Sequence, residues 1–116
     1  MLIYRIIIIL TSVFVLGGCS RAPVVTITNR SPIALTNIVV SGSGFSERID
    51  SIAAGSERRF TVRPYGKSGV RVAFDAGGQH IDAGEQGYFE AGGGYRVAVT
   101  VQSDLKVSVS SDLRSY

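Results

Sequence analysis

The fold of this chain is decided by the stretch YRVAVTV at residues 95–101. Apolar side chains occupy every second position of it, whereas Arg96, Ala98 and Thr100 stand between them. Successive side chains of a β-strand point to opposite faces, so this alternation places all the apolar side chains on one face. The stretch therefore predicts a strand with one face in a core and the other in solvent.

The same alternation recurs through most of the chain from residue 24 onward. Further candidate strands cover residues 24–28, 35–40, 45–49, 59–63, 70–75, 79–82, 88–90 and 105–109, and clusters of Gly, Pro, Asn and Ser separate them. Apolar residues never recur at helical spacing over three turns, so helix is essentially absent. Short strands with frequent turn signals favour a sandwich, and no repeated corner glycines indicate a barrel. For residues 24–116 we predict an all-β fold, an immunoglobulin-like antiparallel β-sandwich of about seven to nine short strands.

Residues 1–18 have the composition of a secretory signal peptide. Arg5 precedes an apolar segment at residues 6–16, and Gly17 and Gly18 place small residues just before Cys19. This order of a basic start, a short apolar centre and small residues is typical of a cleaved signal. The apolar segment is shorter than the about 20 residues that a membrane-spanning helix needs, so a retained helix is the less favoured interpretation.

The sequence Leu16-Gly17-Gly18-Cys19 resembles the lipobox of bacterial lipoproteins. The resemblance implies that Cys19 is acylated and becomes the first residue of the mature protein, followed by a lipidated tether at residues 19–23. Acylation would also consume the only thiol of the chain, which has no cysteine partner within it. By the same resemblance, Ser20 after the cysteine implies sorting to the outer membrane, facing the periplasm, in a Gram-negative host.

Length and charge restrict the mature protein further. Residues 19–116 number 98, enough for one small domain, and they carry 11 basic and 9 acidic side chains once Arg5 is removed. A nucleic-acid partner is not expected, because no basic patch with interleaved aromatic residues is present. The mild positive excess is compatible with weak attraction to anionic lipid headgroups.

A second resemblance covers the first half of the mature domain. Residues 25–29, 35–40 and 52–56 look like bacterial immunoglobulin-like envelope modules, in which a strand, an asparagine, a turn and a second strand precede a loop ending in Ala-Gly-Ser. The second half, with residues 88–90 and 92–95, resembles small uncharacterised lipoproteins. These resemblances imply a β-sandwich in the cell envelope and carry over no active site.

The chain lacks the residue sets that catalysis or a zinc site requires. His80 is the only histidine, and no nucleophile motif such as Gly-x-Ser-x-Gly accompanies it. Zinc needs three or four Cys, His or carboxylate ligands, and the lipobox resemblance assigns Cys19 to another role. We therefore expect a protein without enzymatic activity, without a cofactor and without a bound metal, in which His80 is a surface residue.

Four acidic residues raise calcium binding as a minor alternative. Asp75, Asp82, Glu85 and Glu90 fall within 16 residues among glycines. Calcium sites use clustered oxygen ligands, but the spacing of an EF-hand is absent. Acidic residues in such loops are more often simply solvated.

Four arginines lie on the polar side of the alternating pattern, namely Arg59, Arg63, Arg71 and Arg96. A hairpin around Gly66 would bring the first three close together. Guanidinium groups bind phosphate or carboxylate through paired hydrogen bonds, so this face is a candidate contact for an anionic glycolipid or an acidic partner. The alternative is that the arginines keep the domain soluble and prevent edge-to-edge aggregation of strands.

Two functions are compatible with these observations. The first is an exported, lipid-anchored structural or protein-interaction module whose partners are the membrane and other envelope proteins. The second is a lipid-anchored protein that binds a small ligand or glycan through Tyr65, Tyr88, Phe89 and Tyr95 beside glycine-rich loops. An aromatic-lined pocket would favour the second function, whereas a flat surface with an open edge strand would favour the first.

Overall fold

The computed structural model describes residues 22–113, and within them the chain forms eight strands and no helix. The predicted signal peptide at residues 1–18 and Cys19 lie outside the described residues. The strands are β1 Val24–Asn29, β2 Leu35–Gly42, β3 Phe45–Ile52, β4 Glu57–Thr61, β5 Lys67–Ala76, β6 Gln79–Glu90, β7 Tyr95–Val101 and β8 Val107–Leu113.

The strands form two four-stranded sheets packed face to face, which confirms the predicted all-β sandwich. The first sheet has the order β4-β1-β7-β8 and the second has the order β3-β2-β5-β6. The expectation of a fully antiparallel fold is wrong at one place, because β1 and β7 pair in parallel, with Val25 opposite Val97 and Ile27 opposite Val99. Parallel strands need a long connection, and here five other strands lie between the two partners in the sequence.

The two ends of the sandwich are named here by the residues at the ends of β1. At the Val24 end lie the start of β1, the loop at residues 62–66 and the end of β8, where Leu113 pairs with Tyr95. At the Asn29 end lie the end of β1 and the turns that follow β1, β3, β5 and β7.

The core consists of the inward-facing side chains of both sheets. Phe74 and Phe89 are its largest fully buried residues, and β-branched residues supply most of the rest. Each such side chain removed from water stabilises the fold by about 1.5–3 kcal/mol. In β2 the inward set is Leu35, Ile38 and Val40, which departs from strict alternation because of a bulge at Asn37, a residue with φ of 48°.

The region predicted as two short strands at residues 79–82 and 88–90 is one strand, β6, of 12 residues. Its pairing with β5 shifts register twice, once around Gly84 and once around Gly87. Both glycines have positive φ, 75° and 76°, a conformation that glycine adopts without steric cost. The glycines therefore bend β6 through two bulges instead of ending it.

The last strand begins later than predicted, at Val107 instead of Leu105. Leu105 has φ of 71° and donates its backbone N–H to Gln102 O, so it belongs to the turn between β7 and β8. Its side chain still packs against the core.

A buried asparagine ties the β1–β2 turn to the end of β3. Asn29 Nδ2 donates to the carbonyls of Ile33 and Ile52 at 2.9 and 3.0 Å. Asn29 Oδ1 accepts from the backbone N–H and the hydroxyl of Ser31 at 3.0 and 2.7 Å. The amide is fully buried, and these four bonds satisfy its polar atoms.

The two long sides of the sandwich differ. Along one side β6 lies against β8, where Ser111 Oγ donates to Tyr88 O and Gln86 Nε2 donates to Val107 O. Along the other side the edge strands β3 and β4 remain open, and each carries a charge on its core-facing register, Glu47 opposite Val40 and Arg58 opposite Ile27. Both residues are exposed at the open edges, and charges on an edge strand discourage pairing with another strand.

Candidate functional site

The four arginines that were predicted to share one face do not do so. Arg59 lies in β4 and Arg96 in β7, both in the first sheet, whereas Arg71 lies in β5 of the second sheet. The predicted proximity of Arg59, Arg63 and Arg71 around Gly66 is therefore wrong. The loop at residues 62–66 crosses from one sheet to the other, so Arg59 and Arg71 point away from opposite faces of the sandwich.

Arg59 and Arg96 lie close together instead, because their strands, β4 and β7, flank β1 on either side. Thr26 pairs with Arg59 on one side and with Ala98 on the other, and Val24 pairs with Arg96. Both arginines line one open depression of about 530 Å³. The remaining lining residues are Val24, Thr26, Val97, Ala98 and Asp112.

The outer face of the first sheet carries short side chains along its central strands. A second depression of about 560 Å³ is lined by Arg30, Thr100, Gln102, Ser103 and Ser108 near the Asn29 end. We call this outer face the small-residue trough; its floor is formed by Thr26, Thr28, Ala98, Thr100, Ser108 and Ser110. Arg59 and Arg96 lie toward one end of the trough and Arg30 toward the other.

The trough face also carries two acidic residues, Asp112 opposite Arg96 and Glu57 opposite Thr28. Arg96 Nη2 lies 3.9 Å from Asp112 Oδ2, and both side chains are more than half exposed, so this pair is weak. Within residues 22–113, no acidic side chain forms an ion pair with Arg59. The trough thus offers guanidinium donors together with hydroxyl groups that donate and accept, which suits a carboxylate-bearing partner.

On the outer face of the second sheet, several polar and charged groups are hydrogen-bonded to one another. His80 Nδ1 lies 2.7 Å from Asp75 Oδ1, Asn37 Nδ2 donates to Asp75 Oδ2 at 3.0 Å, and Arg48 Nη2 reaches Asn37 Oδ1 at 3.5 Å. The hydrogen bonds from Asn37 and His80 hold the pKa of the Asp75 carboxyl below 3.8. His80, Asp75, Asn37 and Arg48 thus form one hydrogen-bonded network on this face.

Two of the four acidic residues considered for calcium are engaged by other side chains or by the backbone. Asp75 is held by Asn37 and His80, and Asp82 accepts from Gly84 N at 3.0 Å and from Arg71 Nη2 at 3.4 Å. The Gly84 N–H, with the Arg71 charge, lowers the pKa of Asp82. Within residues 22–113, no three His, Cys, Asp or Glu side chains are grouped closely enough to hold a metal ion.

The four aromatic residues predicted to bind a ligand do not form one exposed surface. Phe89 is fully buried, and its ring centroid lies 6.0 Å from that of Phe45, so it belongs to the core. Tyr88 lies on β6 and not in a loop, and its hydroxyl donates to Glu90 Oε2 at 2.6 Å. That hydrogen bond, with partial burial, raises the pKa of Tyr88 to about 12. Tyr95 packs against the core, and Tyr65 is exposed in the loop before β5.

Sequence reasoning missed the small-residue trough itself. The outward positions of β1, β7 and β8 are visibly threonine, serine and alanine, and this pattern was the available signal. This pattern predicts a common surface only if β1 is known to pair with β7, and these two strands are about 70 residues apart in the sequence.

In the part of the chain that the structure describes, no helix is long and apolar enough to cross a membrane. No family model matches the sequence, and no curated protein matches it. A solved structure described as the NMR structure of the protein from Eubacterium rectale is similar with a TM-score of 0.49 and 13% identity. The similarity covers 87% of this chain and 96% of that chain.

Proposed function

We propose that this chain is a non-enzymatic lipoprotein of the bacterial cell envelope, anchored by lipid on Cys19, and that its immunoglobulin-like β-sandwich binds a partner protein. In a Gram-negative host it would be exported to the outer membrane and face the periplasm. The binding surface would be the small-residue trough, and the partner surface would carry a carboxylate for Arg59 and Arg96.

The observation that carries the proposal is the contrast between the two outer faces. On the second sheet Asp75, His80 and Arg48 join one network and Arg71 pairs with Asp82, whereas on the first Arg59 has no ion pair among the described residues and Arg96 has one of 3.9 Å. A hydrogen bond to a charged group contributes about 1.5–3 kcal/mol, so two arginine contacts would supply a useful part of a specific affinity. A protein is favoured over a glycan because no aromatic ring lines either described depression, and stacking rings are what a sugar site usually offers.

The absence of enzymatic activity is part of the same proposal. The His80–Asp75 pair resembles the base and orienting group of a catalytic triad in its 2.7 Å contact. It lies on the outer face of the second sheet, away from both depressions, and its imidazole is exposed to solvent. Such a position gives no enclosed site from which water is excluded around a reacting bond.

Site-specific photocrosslinking would test the proposed trough. A benzophenone amino acid is placed at Ala98, and in a matched control at Ala73, which stands on the outer face of the second sheet in the central strand β5. We expect a discrete protein adduct from Ala98 that disappears in an Arg59→Ala, Arg96→Ala background, and none from Ala73. Equal adducts from both positions would contradict the trough, and displacement of the Ala98 adduct by a saccharide would move the assignment to glycan binding.

The anchor has its own test. Mass spectrometry of the N-terminal peptide should show an acylated Cys19, and Cys19→Ser should release the protein from the membrane fraction. Normal processing and unchanged membrane attachment of Cys19→Ser would overturn the proposed lipid anchor.

A further inference from the structure

Exposed apolar side chains gather at the Val24 end of the sandwich. Of the large apolar residues that residues 22–113 expose, three lie there: Tyr65 at 79% exposure, Leu113 at 59% and Tyr88 at 47%. The fourth, Ile33, is 37% exposed and lies at the Asn29 end, where its Cδ1 is close to Gly77. Tyrosine is a residue that favours the boundary between water and lipid, because its ring is apolar and its hydroxyl polar.

Tyr65 is held outward by its surroundings. Its backbone N–H donates to Ser43 O at 2.9 Å, and its ring lies so close to Gly44 that an added Cβ would be 2.6 Å from it. The ring is therefore supported on one side and open to solvent on the other. This loop is a fixed projection at the Val24 end.

Basic residues flank the exposed tyrosine. Arg63 and Lys67 stand two residues before and after Tyr65, and both are exposed. Glu90 pairs in register with Lys67 and keeps its negative charge while it accepts a hydrogen bond from the Tyr88 hydroxyl, but among the described residues it forms no ion pair with Lys67. The combination of aromatic and basic side chains at one end is complementary to an anionic lipid headgroup layer.

The connection to Cys19 places this end close to a membrane. Val24 follows Cys19 by five residues, which span at most about 17 Å when fully extended. The point at which the chain joins the sandwich is fixed, because Val62 N donates to Pro23 O at 3.0 Å. A chain anchored at Cys19 thus cannot hold the Val24 end far from the bilayer surface.

We propose that the Val24 end is a contact surface for an anionic lipid bilayer, with Tyr65 and Leu113 at the headgroup boundary and Arg63 and Lys67 on lipid phosphates. The inference rests on the proposed anchor at Cys19 for its location and adds an orientation to it. The strands of the sandwich then stand away from the membrane, the Asn29 end projects into the aqueous phase, and the small-residue trough is left open at the side.

Fluorescence can measure this orientation, because the chain contains no tryptophan. The full chain carrying Tyr65→Trp is reconstituted into phosphatidylcholine vesicles with or without phosphatidylglycerol, and its emission is quenched by brominated acyl chains. Ile33→Trp is the matched control at the opposite end. We expect strong quenching and a blue shift for Tyr65→Trp and little for Ile33→Trp; equal quenching of the two, or none of either, would overturn the proposal.

The role of charge is tested in the Tyr65→Trp background. Arg63→Ala with Lys67→Ala should abolish the extra quenching that phosphatidylglycerol produces, whereas Arg58→Ala with Lys106→Ala, which lie toward the Asn29 end, should leave it unchanged. Each basic residue near the surface changes lipid partitioning by about fivefold, so the pair should change it by about 25-fold. Identical behaviour of the two double variants would contradict the assignment of Arg63 and Lys67.

Failure of the anchor remains distinguishable from failure of the contact surface. The mass of the N-terminal peptide, measured on the same sample, reports acylation of Cys19 without reference to orientation. If Cys19 proves unmodified, titration of the Tyr65→Trp chain with anionic vesicles still decides whether this end binds lipid. Absence of binding in that titration would count against the contact surface, and binding would support it.

Discussion

Asn29→Ala removes a fully buried amide that joins three segments of the Asn29 end. The side chain donates to the carbonyls of Ile33 and Ile52 and accepts twice from Ser31. After the substitution, the buried carbonyl of Ile52 and the buried N–H of Ser31 lose their side-chain partner, whereas the single hydroxyl proton of Ser31 is free to bond to the part-buried Ile33 O, 2.9 Å away. The perturbation acts at one point and leaves the apolar core unchanged.

The expected decrease in the free energy of unfolding follows from the number of hydrogen bonds that the substitution removes. At about 1 kcal/mol of net stabilisation for each of four hydrogen bonds, we expect the free energy of unfolding to fall by about 3–5 kcal/mol. A small domain has about 5–15 kcal/mol in total, so this loss is a large fraction of its stability. Ser31→Ala, which removes the hydroxyl and spares the amide, should cost about 1 kcal/mol.

Urea titration followed by far-UV circular dichroism measures these differences. Gln102→Ala serves as a matched control, because its amide makes an exposed hydrogen bond of 3.3 Å to Ser108 Oγ. This control should change stability by less than about 0.5 kcal/mol. A loss for Asn29→Ala that is no larger than that of Gln102→Ala would refute the role of the buried network.

Three further predictions concern β6 and its neighbours. Gly87→Ala should destabilise the domain by more than about 1 kcal/mol, measured by urea titration, because φ is 76° and the added Cβ would lie 2.7 Å from Val109 Cγ1. Glu90→Gln should lower the pKa of Tyr88 from about 12 toward 10.0 in a spectrophotometric titration, because the carboxylate that holds the phenol proton is lost. The Asp75 carboxyl should titrate below 3.8 by NMR; since its folded-state pKa is depressed, its stabilising contribution is present above the unfolded-state pKa and is lost as the pH falls through the folded-state value.

Each of these predictions has a result that would contradict it. Gly84→Ala has the same positive φ with no atom within 4 Å of the added Cβ, so it should cost less than Gly87→Ala; equal costs would remove the steric argument. An unchanged Tyr88 titration in Glu90→Gln would mean that the 2.6 Å bond does not persist in solution. Asn37→Ala should raise the pKa of Asp75, and no change would dismiss the amide as its cause.

The alternation of apolar residues was sufficient to predict the strands and much of the core. Val97, Val99 and Val101 of the decisive stretch are all buried, as their period-two spacing requires. The prediction failed where a bulge interrupts that period. Asn37 and Gly84 each lie where an extra residue shifts the register with the neighbouring strand, and the apolar pattern of the sequence does not mark such an insertion.

The candidate site was less predictable because it depends on contacts between distant segments. Arg59 and Arg71 are 12 residues apart in sequence yet lie in opposite sheets, whereas Arg59 and Arg96 are 37 apart and share one depression. Proximity along the chain suggested the wrong grouping. The correct grouping required the position of β1 between β4 and β7, which no local pattern specifies.

The central position of β1 has a mechanical consequence. The chain emerges toward Cys19 from a strand that is hydrogen-bonded on both sides, antiparallel to β4 and parallel to β7. A pull on the N-terminus, resisted by a partner held farther along the sandwich, would load these two rows of bonds in shear, so that they must break together instead of one after another. A protein anchored in this way would transmit tension between a membrane and a bound partner without unfolding from its N-terminus.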